Sequence, residues 1–88
     1  MIVEIKKPIE EEIKMAEGWP TWTKEVSEFD WSYNEKETCL ILKGRAEVTS
    51  KDGETASFGA GDFVVFPVGL ECTWKIIEPI EKKYKFGD

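Results

Sequence analysis

Residues 59–69 read Gly-Ala-Gly-Asp-Phe-Val-Val-Phe-Pro-Val-Gly, and this stretch decides the fold. Two clusters of turn residues enclose four apolar residues, 63–66, that are β-branched or aromatic. Such a run predicts a short strand that is buried on both faces. Residues 37–44, which read Glu-Thr-Cys-Leu-Ile-Leu-Lys-Gly, show the same pattern. The chain therefore has two predicted central strands, and each is followed by turn-forming residues.

Short strands with turn residues between them make up most of the remaining chain. Residues 1–6 alternate apolar and charged side chains and predict an edge strand, whereas residues 8–18 predict a short helical turn. Residues 29–34 alternate aromatic and polar side chains. Residues 51–54 contain the Asp-Gly dipeptide that hairpin turns prefer. We predict one all-β domain over residues 1–88, closed into a sandwich or barrel.

Three further features concern where strands end and which strand lies at the edge of the sheet. Gly44 predicts a tight turn between two strands, and Pro79 predicts the end of a strand over residues 71–77. Residues 82–86 are rich in lysine, which is typical of an exposed edge strand.

Within the strands, the alternation places Trp22, Lys24 and Val26 on one face. It also places Cys72, Trp74 and Ile76 on one face.

The composition excludes some classes of partner. The chain has 88 residues, a net charge of −6 and a pI of about 4.7. Because nucleic-acid affinity depends mainly on clustered Lys and Arg, we expect no nucleic-acid partner. No apolar run approaches the roughly 18–20 residues that span a bilayer, and the N-terminus lacks a signal-peptide pattern. We therefore expect a cytoplasmic protein with no membrane partner.

Residue usage indicates the environment of the protein. Cys39 and Cys72 lie within apolar strands and lack the spacing of a disulfide framework, so we expect both to be reduced. Lys and Glu are abundant, whereas His and Gln do not occur. This bias resembles that of hyperthermophile proteins. It predicts a thermophilic source and does not indicate a reaction.

Two partial motifs resemble those of the cupins, which are small jelly-roll barrels. The first cupin motif is G-x5-H-x-H-x3-E-x6-G, or has x4 before its Glu, and Glu37-x6-Gly44 matches its end. The second is G-x5-P-x-G-x2-H-x3-N, and Gly61, Pro67 and Gly69 match its start. Cys72 stands at the next motif position. The resemblance implies an all-β cupin fold, an RmlC-like double-stranded β-helix.

Aromatic residues extend the resemblance over nearly the whole chain after residue 15. The segments Trp19-Pro20-x-Trp22, Phe29-x-Trp31-x-Tyr33 and Cys72-Thr73-Trp74 are similar to those of single-domain cupins of the ureidoglycine aminohydrolase type. This resemblance implies a homodimer that binds a small-molecule ligand inside the mouth of the barrel. It also implies a ureido or amide compound as that ligand.

The resemblance leaves the metal site open. Metal-binding cupins hold a divalent cation with three His and one Glu, which suit Mn, Fe, Ni or Zn. Placing the first motif with its three-residue spacer puts Trp31 and Tyr33 at the first two His positions, followed by Glu37 and then Cys72. Trp cannot bind a metal and neutral Tyr binds one reluctantly. Glu37 and Cys72 remain as metal ligands, fewer than the three protein ligands that a catalytic zinc site generally uses.

Each residue predicted to be catalytic has a structural alternative. Glu37 is either a carboxylate for acid–base work inside the barrel or a strand residue paired with a lysine, and the motif favours the first role. Cys72 is either a ligand or nucleophile or a buried structural thiol. Tyr33 completes the predicted catalytic set. Cys39 shares the strand face of Glu37, and its structural role is favoured over substrate binding.

The predicted substrate-binding surface is aromatic. Trp22, Trp31, Trp74 and Tyr33 would line the cavity and stack a planar or sugar-like ligand, with core packing as the alternative for at least two of the four. Lys24 would anchor a ligand carboxylate if its ammonium points inward, although such a lysine more often extends to solvent.

Two functions stay open. The first is an enzyme that acts on a small polar metabolite, with Glu37 as metal ligand or general base. The second is a metal-free cupin that binds a small molecule or has a structural role, without catalysis. The absence of His lowers the expectation of metal chemistry and favours binding.

Overall fold

The computed structural model describes residues 3–87. Its elements are β1 (Glu4–Lys6), α1 (Glu10–Ala16), β2 (Thr21–Lys24), β3 (Ser27–Ser32), β4 (Glu37–Ser50), β5 (Thr55–Gly59), β6 (Phe63–Phe66) and β7 (Glu71–Phe86). The strand order is β1-β6-β4-β7-β2, with β3 also paired to β7 and β5 to β4. Every pair is antiparallel. The prediction of an all-β fold with a short N-terminal helix is confirmed.

Strand β6 is covered on both faces, as its sequence predicts. Val64 and Phe66 are fully buried in the main apolar core. Phe63 belongs to a second buried cluster with Leu40 and Ala16, the last residue of α1. The helix therefore shields the outer face of this part of the sheet. Burial of both faces explains why residues 63–66 are continuously apolar and do not alternate.

The hairpin between β4 and β5 is also confirmed. Thr49 and Thr55 are paired, and the turn between them has Gly53 at φ +96°. A positive φ is readily adopted by glycine because it has no Cβ. The hydroxyl of Ser50 donates a hydrogen bond to the Asp52 carboxylate, which lowers the pKa of that carboxyl.

The prediction of a tight turn at Gly44 is wrong. Strand β4 continues from residue 37 to residue 50, and its pairing with β7 changes register between Ile41 and Ala46. Gly44 lies in this irregular segment with φ +91°. It therefore bends the strand at a bulge and does not reverse it. A Cβ at this position would lie 2.1 Å from the backbone oxygen of Pro79, so glycine is what allows β7 to approach.

The predictions for the C-terminal segment are wrong for a related reason. Strand β7 runs through Pro79 without a break. Pro79 lies opposite the bulge of β4, between the pairs Arg45–Glu78 and Lys43–Glu81, where the ladder is irregular and tolerates proline. Residues 82–86 consequently pair with β4, and Lys82 and Lys83 also pair with β2. This segment is central in the sheet and is not an exposed edge.

The N-terminal predictions are confirmed in part. Strand β1 pairs with β6 over residues 4–6, and residues 1 and 2 of the predicted strand lie outside the described residues. Helix α1 is shorter than the predicted segment and begins after Ile9, whose backbone N–H donates to Glu12. Val26 does not share the inward face of Trp22, since β2 ends at Lys24 and Val26 is exposed.

Candidate functional site

A cavity of about 210 Å³ opens between β2, β3, the start of β4 and β7. Its walls are mainly aromatic, and two of the residues that line it carry charge. The lining residues are Trp22, Phe29, Trp31, Tyr33, Glu37, Trp74, Lys82, Tyr84 and Phe86. This combination of apolar walls with few polar groups is the usual composition of a small-molecule site.

The charged groups of the cavity form a buried ion pair. Lys82 Nζ donates a hydrogen bond of 2.6 Å to Glu37 Oε2. The two side chains are only 6% and 3% exposed. Glu37 is the first residue of β4. Lys82 lies on β7, where it is paired with Ile41 on β4 and with Trp22 on β2. Each charge therefore depends on the other for compensation, because little water reaches either group.

Aromatic rings surround this pair. The ammonium of Lys82 lies 4.7 Å from the ring centroids of both Trp22 and Trp74. The ring of Phe29 stacks on Trp74 with an angle of 7° between their planes. Trp31 is 46% exposed and Phe86 is 44% exposed, so these two rings lie at the open side of the cavity. A ligand that enters would contact them first.

Tyr33 links the aromatic wall to the carboxylate. Its ring stacks on Phe66 at 5.0 Å, and its hydroxyl accepts a hydrogen bond of 3.3 Å from Trp74 Nε1. Burial raises the pKa of the Tyr33 hydroxyl well above its ordinary value, and the charge of Glu37 together with a hydrogen bond to it raises the pKa further. The phenol therefore stays neutral at physiological pH and serves as a hydrogen-bond donor.

The cysteines lie outside the cavity lining. Cys39 is fully buried. Burial raises the pKa of its thiol to about 12, with the charge of Lys82 opposing the rise and that of Glu37 adding to it. Burial likewise raises the pKa of Cys72 to about 11, and its thiol donates to the backbone oxygen of Trp31 at 3.6 Å. Both sulfurs are therefore protonated at neutral pH, a poor state for a nucleophile.

We expect both thiols to resist labelling in the folded protein. A disulfide reagent at about pH 8 should modify neither cysteine on the timescale on which it modifies both in urea, because the thiolate is the reactive form. The variant Cys72→Ser isolates Cys39 as the control. Fast labelling of Cys72 in the folded protein would contradict this expectation and support its predicted nucleophilic role.

The structure brings together five of the eight predicted site residues. Trp22, Trp31, Tyr33, Glu37 and Trp74 all line the cavity, whereas Lys24, Cys39 and Cys72 do not. Lys24 is exposed, with Nζ 5.5 Å from the centroid of the Phe29 ring. The cation that lines the cavity is Lys82.

Sequence reasoning missed Lys82, Tyr84, Phe86 and Phe29 as site residues. The available signal was the alternation in β7. Cys72, Trp74 and Ile76 are buried, and the same alternation, continued through Pro79, places Ile80 and Lys82 on the buried face. The prediction that Pro79 ends the strand removed this signal.

The residues of the site do not fit a divalent metal ion. Glu37 is already paired with an ammonium group. The predicted second ligand, Cys72, does not line the cavity, and its thiol hydrogen-bonds to backbone. Among residues 3–87, no three His, Cys, Asp or Glu side chains are grouped so that they could hold a metal. A bound divalent cation needs more donors than these.

The fold and the cavity define a class of protein. An antiparallel jelly-roll barrel with a lined cavity between its strands, and with Glu37, Gly44, Gly61 and Pro67 at the motif positions, is a small cupin. The model of the EutQ-like cupin domain matches residues 13–84. The chain therefore belongs to the EutQ-like cupin domain family.

Solved structures agree with this assignment. A DUF861 family protein from Thermotoga maritima is 50% identical, with a TM-score of 0.93, over 97% of this chain and 99% of that one. The EutQ protein of Clostridium difficile is 19% identical, with a TM-score of 0.70, over 76% of this chain and 52% of that one, and shows the fold alone. A comparison with curated proteins gave no match. Among the described residues, no helix is long and apolar enough to cross a membrane.

Proposed function

We propose that the cavity binds a small planar molecule with an amide or ureido group, without a metal ion. The observation that carries this proposal is the combination of seven aromatic side chains with one buried ammonium–carboxylate pair in a single cavity. The volume of about 210 Å³ suits a small metabolite. Pockets for drug-sized ligands are larger, roughly 300–1,000 Å³.

The chemistry of the pair supports a neutral, polar ligand. An amide or ureido group has N–H donors beside a carbonyl acceptor. Its N–H would donate to the Glu37 carboxylate, and its carbonyl would accept from the Lys82 ammonium. Because the two charges compensate one another, a ligand with a net charge gains from one of them and is repelled by the other. The aromatic walls stack the planar part of the ligand.

Hydrolysis of such a compound is the second candidate function. Glu37 lines the cavity and can accept a proton from a water molecule that attacks the carbonyl carbon. The Lys82 ammonium would stabilise the oxyanion that forms. The C–N bond then breaks, and the amine leaves with the proton that Glu37 took from the water. The resemblance to cupins of the ureidoglycine aminohydrolase type supports this candidate.

Trp31→Ala is expected to weaken ligand binding about tenfold, because an aromatic contact contributes roughly 1.4 kcal/mol. The stability should change little, since Trp31 is 46% exposed. Tryptophan fluorescence, titrated with small ureas and primary amides, measures the binding. Val68→Ala is the matched control, because Val68 is also exposed and does not line the cavity.

The same titration compares ligand classes. Neutral ureas or amides should bind more tightly than acetate or methylammonium of similar size. Preference for either ion would overturn the proposed ligand class.

Ammonia release from bound ligands, measured in the presence of a chelator, separates the binding function from the hydrolase function. Binding without release supports the binding protein, and release above the buffer rate supports the hydrolase.

Other predictions from the sequence stay predictions. The homodimer is supported by the resemblance to cupins. The thermophilic source is supported by the composition and by the 50% identity to a Thermotoga maritima protein. The absence of a nucleic-acid partner is supported by the acidic composition, and the cytoplasmic location stays an expectation from the sequence.

A further inference from the structure

The Lys82 ammonium lines the cavity and has neighbours of unusual composition. Its nitrogen lies 2.6 Å from Glu37 Oε2 and 4.7 Å from the ring centroids of Trp22 and Trp74. The ring centroid of Tyr84 is 6.0 Å away. The carboxylate neutralises the charge on one side, and the electron-rich faces of the rings stabilise it from other directions. We call Trp22, Trp74, Tyr84 and Glu37 the ammonium cage.

Glu37 is the residue that matches the glutamate of the first cupin motif. At the positions that would supply the other ligands, the chain has Trp31, Tyr33 and Cys72. The donor set therefore does not fit a metal ion, and the carboxylate instead accepts a hydrogen bond from Lys82. A second cation at Glu37 would be repelled by this ammonium, which is held in place by its own chain.

We propose that the Lys82 ammonium is the resident cation of this cavity, replacing a metal ion, and that the ammonium cage is selective for an alkylammonium group. The rings of the cage cannot coordinate a divalent ion, which requires lone-pair donors, but they match the weakly directional charge of an ammonium. The proposal does not depend on the ligand class proposed above. It implies that the cavity keeps a fixed hydrogen-bond donor beside its carboxylate with no cofactor.

Chemical rescue tests the selectivity of the cage. Lys82→Ala removes the ammonium and leaves a space with the shape of n-propylammonium. We expect Lys82→Ala to unfold at lower urea concentration than the native protein. Added n-propylammonium chloride should restore part of the loss in a saturable manner. n-Propanol and sodium chloride at the same concentrations are the matched probes, and neither should restore stability to this extent.

Lys75→Ala is the control variant, because Lys75 is an exposed lysine on the same strand. Neither Lys75→Ala nor the native protein should respond saturably to n-propylammonium. Equal rescue by n-propanol would mean that the cage recognises only apolar volume and would overturn the proposal. Native stability of Lys82→Ala without any probe would overturn it too. If Lys82→Ala does not fold alone, refolding from urea with each probe gives the same comparison.

Elemental analysis of the native protein is the independent measurement. After exposure to Mn, Fe, Ni and Zn and removal of free metal, the native protein should contain far less than one equivalent of any of them. Stoichiometric metal that is lost in Glu37→Gln would show a metal at the carboxylate and overturn the proposal. Failure of the proposed ligands to bind would leave both of these results unchanged, so a wrong ligand class is distinguishable from a failure of the ammonium cage.

Discussion

Lys82→Met is expected to lower the free energy of unfolding by about 3–5 kcal/mol, because it leaves the Glu37 carboxylate buried without a compensating charge. Methionine keeps most of the volume of lysine. The loss of stability therefore comes from the missing charge and not from a cavity. The carboxylate is 3% exposed, and water can hardly replace the missing ammonium. Urea unfolding followed by tryptophan fluorescence measures the change.

Two further variants make this result specific. Lys75→Met changes an exposed lysine on the same strand and should alter the stability by no more than about 0.5 kcal/mol. Glu37→Gln combined with Lys82→Met removes both charges, and should recover about 2 kcal/mol relative to the sum of the two single losses. Additive losses would contradict the energetic coupling of Glu37 and Lys82.

This coupling changes the interpretation of a simple activity test. If Glu37 were exposed, Glu37→Gln would change the activity and leave the stability unaltered. In the structure, the same substitution leaves Lys82 without its carboxylate. We therefore expect Glu37→Gln to lower stability as well, and a loss of activity in this variant alone does not identify a general base.

Gly44→Ala is expected to destabilise the protein by about 3 kcal/mol or more, because two backbone constraints act at one position. Its φ of +91° disfavours any residue with a Cβ. The Cβ would also lie 2.1 Å from the Pro79 oxygen and 2.8 Å from that of Glu78, and both are backbone atoms that cannot move without shifting β7.

Gly53→Ala is the matched control for this prediction. Gly53 has a similar φ of +96°, yet a Cβ added there would meet nothing within 4 Å. It should therefore show the conformational strain alone, of about 1 kcal/mol. Equal losses in the two variants would mean that the approach of β7 to Gly44 contributes nothing. A larger loss in Gly44→Ala, with altered tryptophan fluorescence, supports a role of the bulge in positioning Lys82.

Local sequence patterns predicted much of the fold because they depend on neighbouring residues. The apolar run at 63–66 indicated a strand covered on both faces, and Asp52-Gly53 indicated a hairpin. The motif positions around Glu37 and Pro67 indicated a cupin. Trp31 and Tyr33, which belong to the aromatic alternation, line the cavity. These features require no knowledge of the distant parts of the chain.

The sequence by itself thus determined the class of fold, the central strands and the aromatic character of the cavity. Only the tertiary structure decided which cation faces Glu37. The sequence analysis considered Lys24 only as an anchor for a ligand carboxylate, whereas Lys82 forms the pair with Glu37 across 45 positions of sequence. The physical reason is the register of β4 against β7: the bulge at Gly44 accommodates Pro79, so β7 continues and carries Lys82 into the barrel. Such a register depends on long-range backbone packing, which local periodicity does not record.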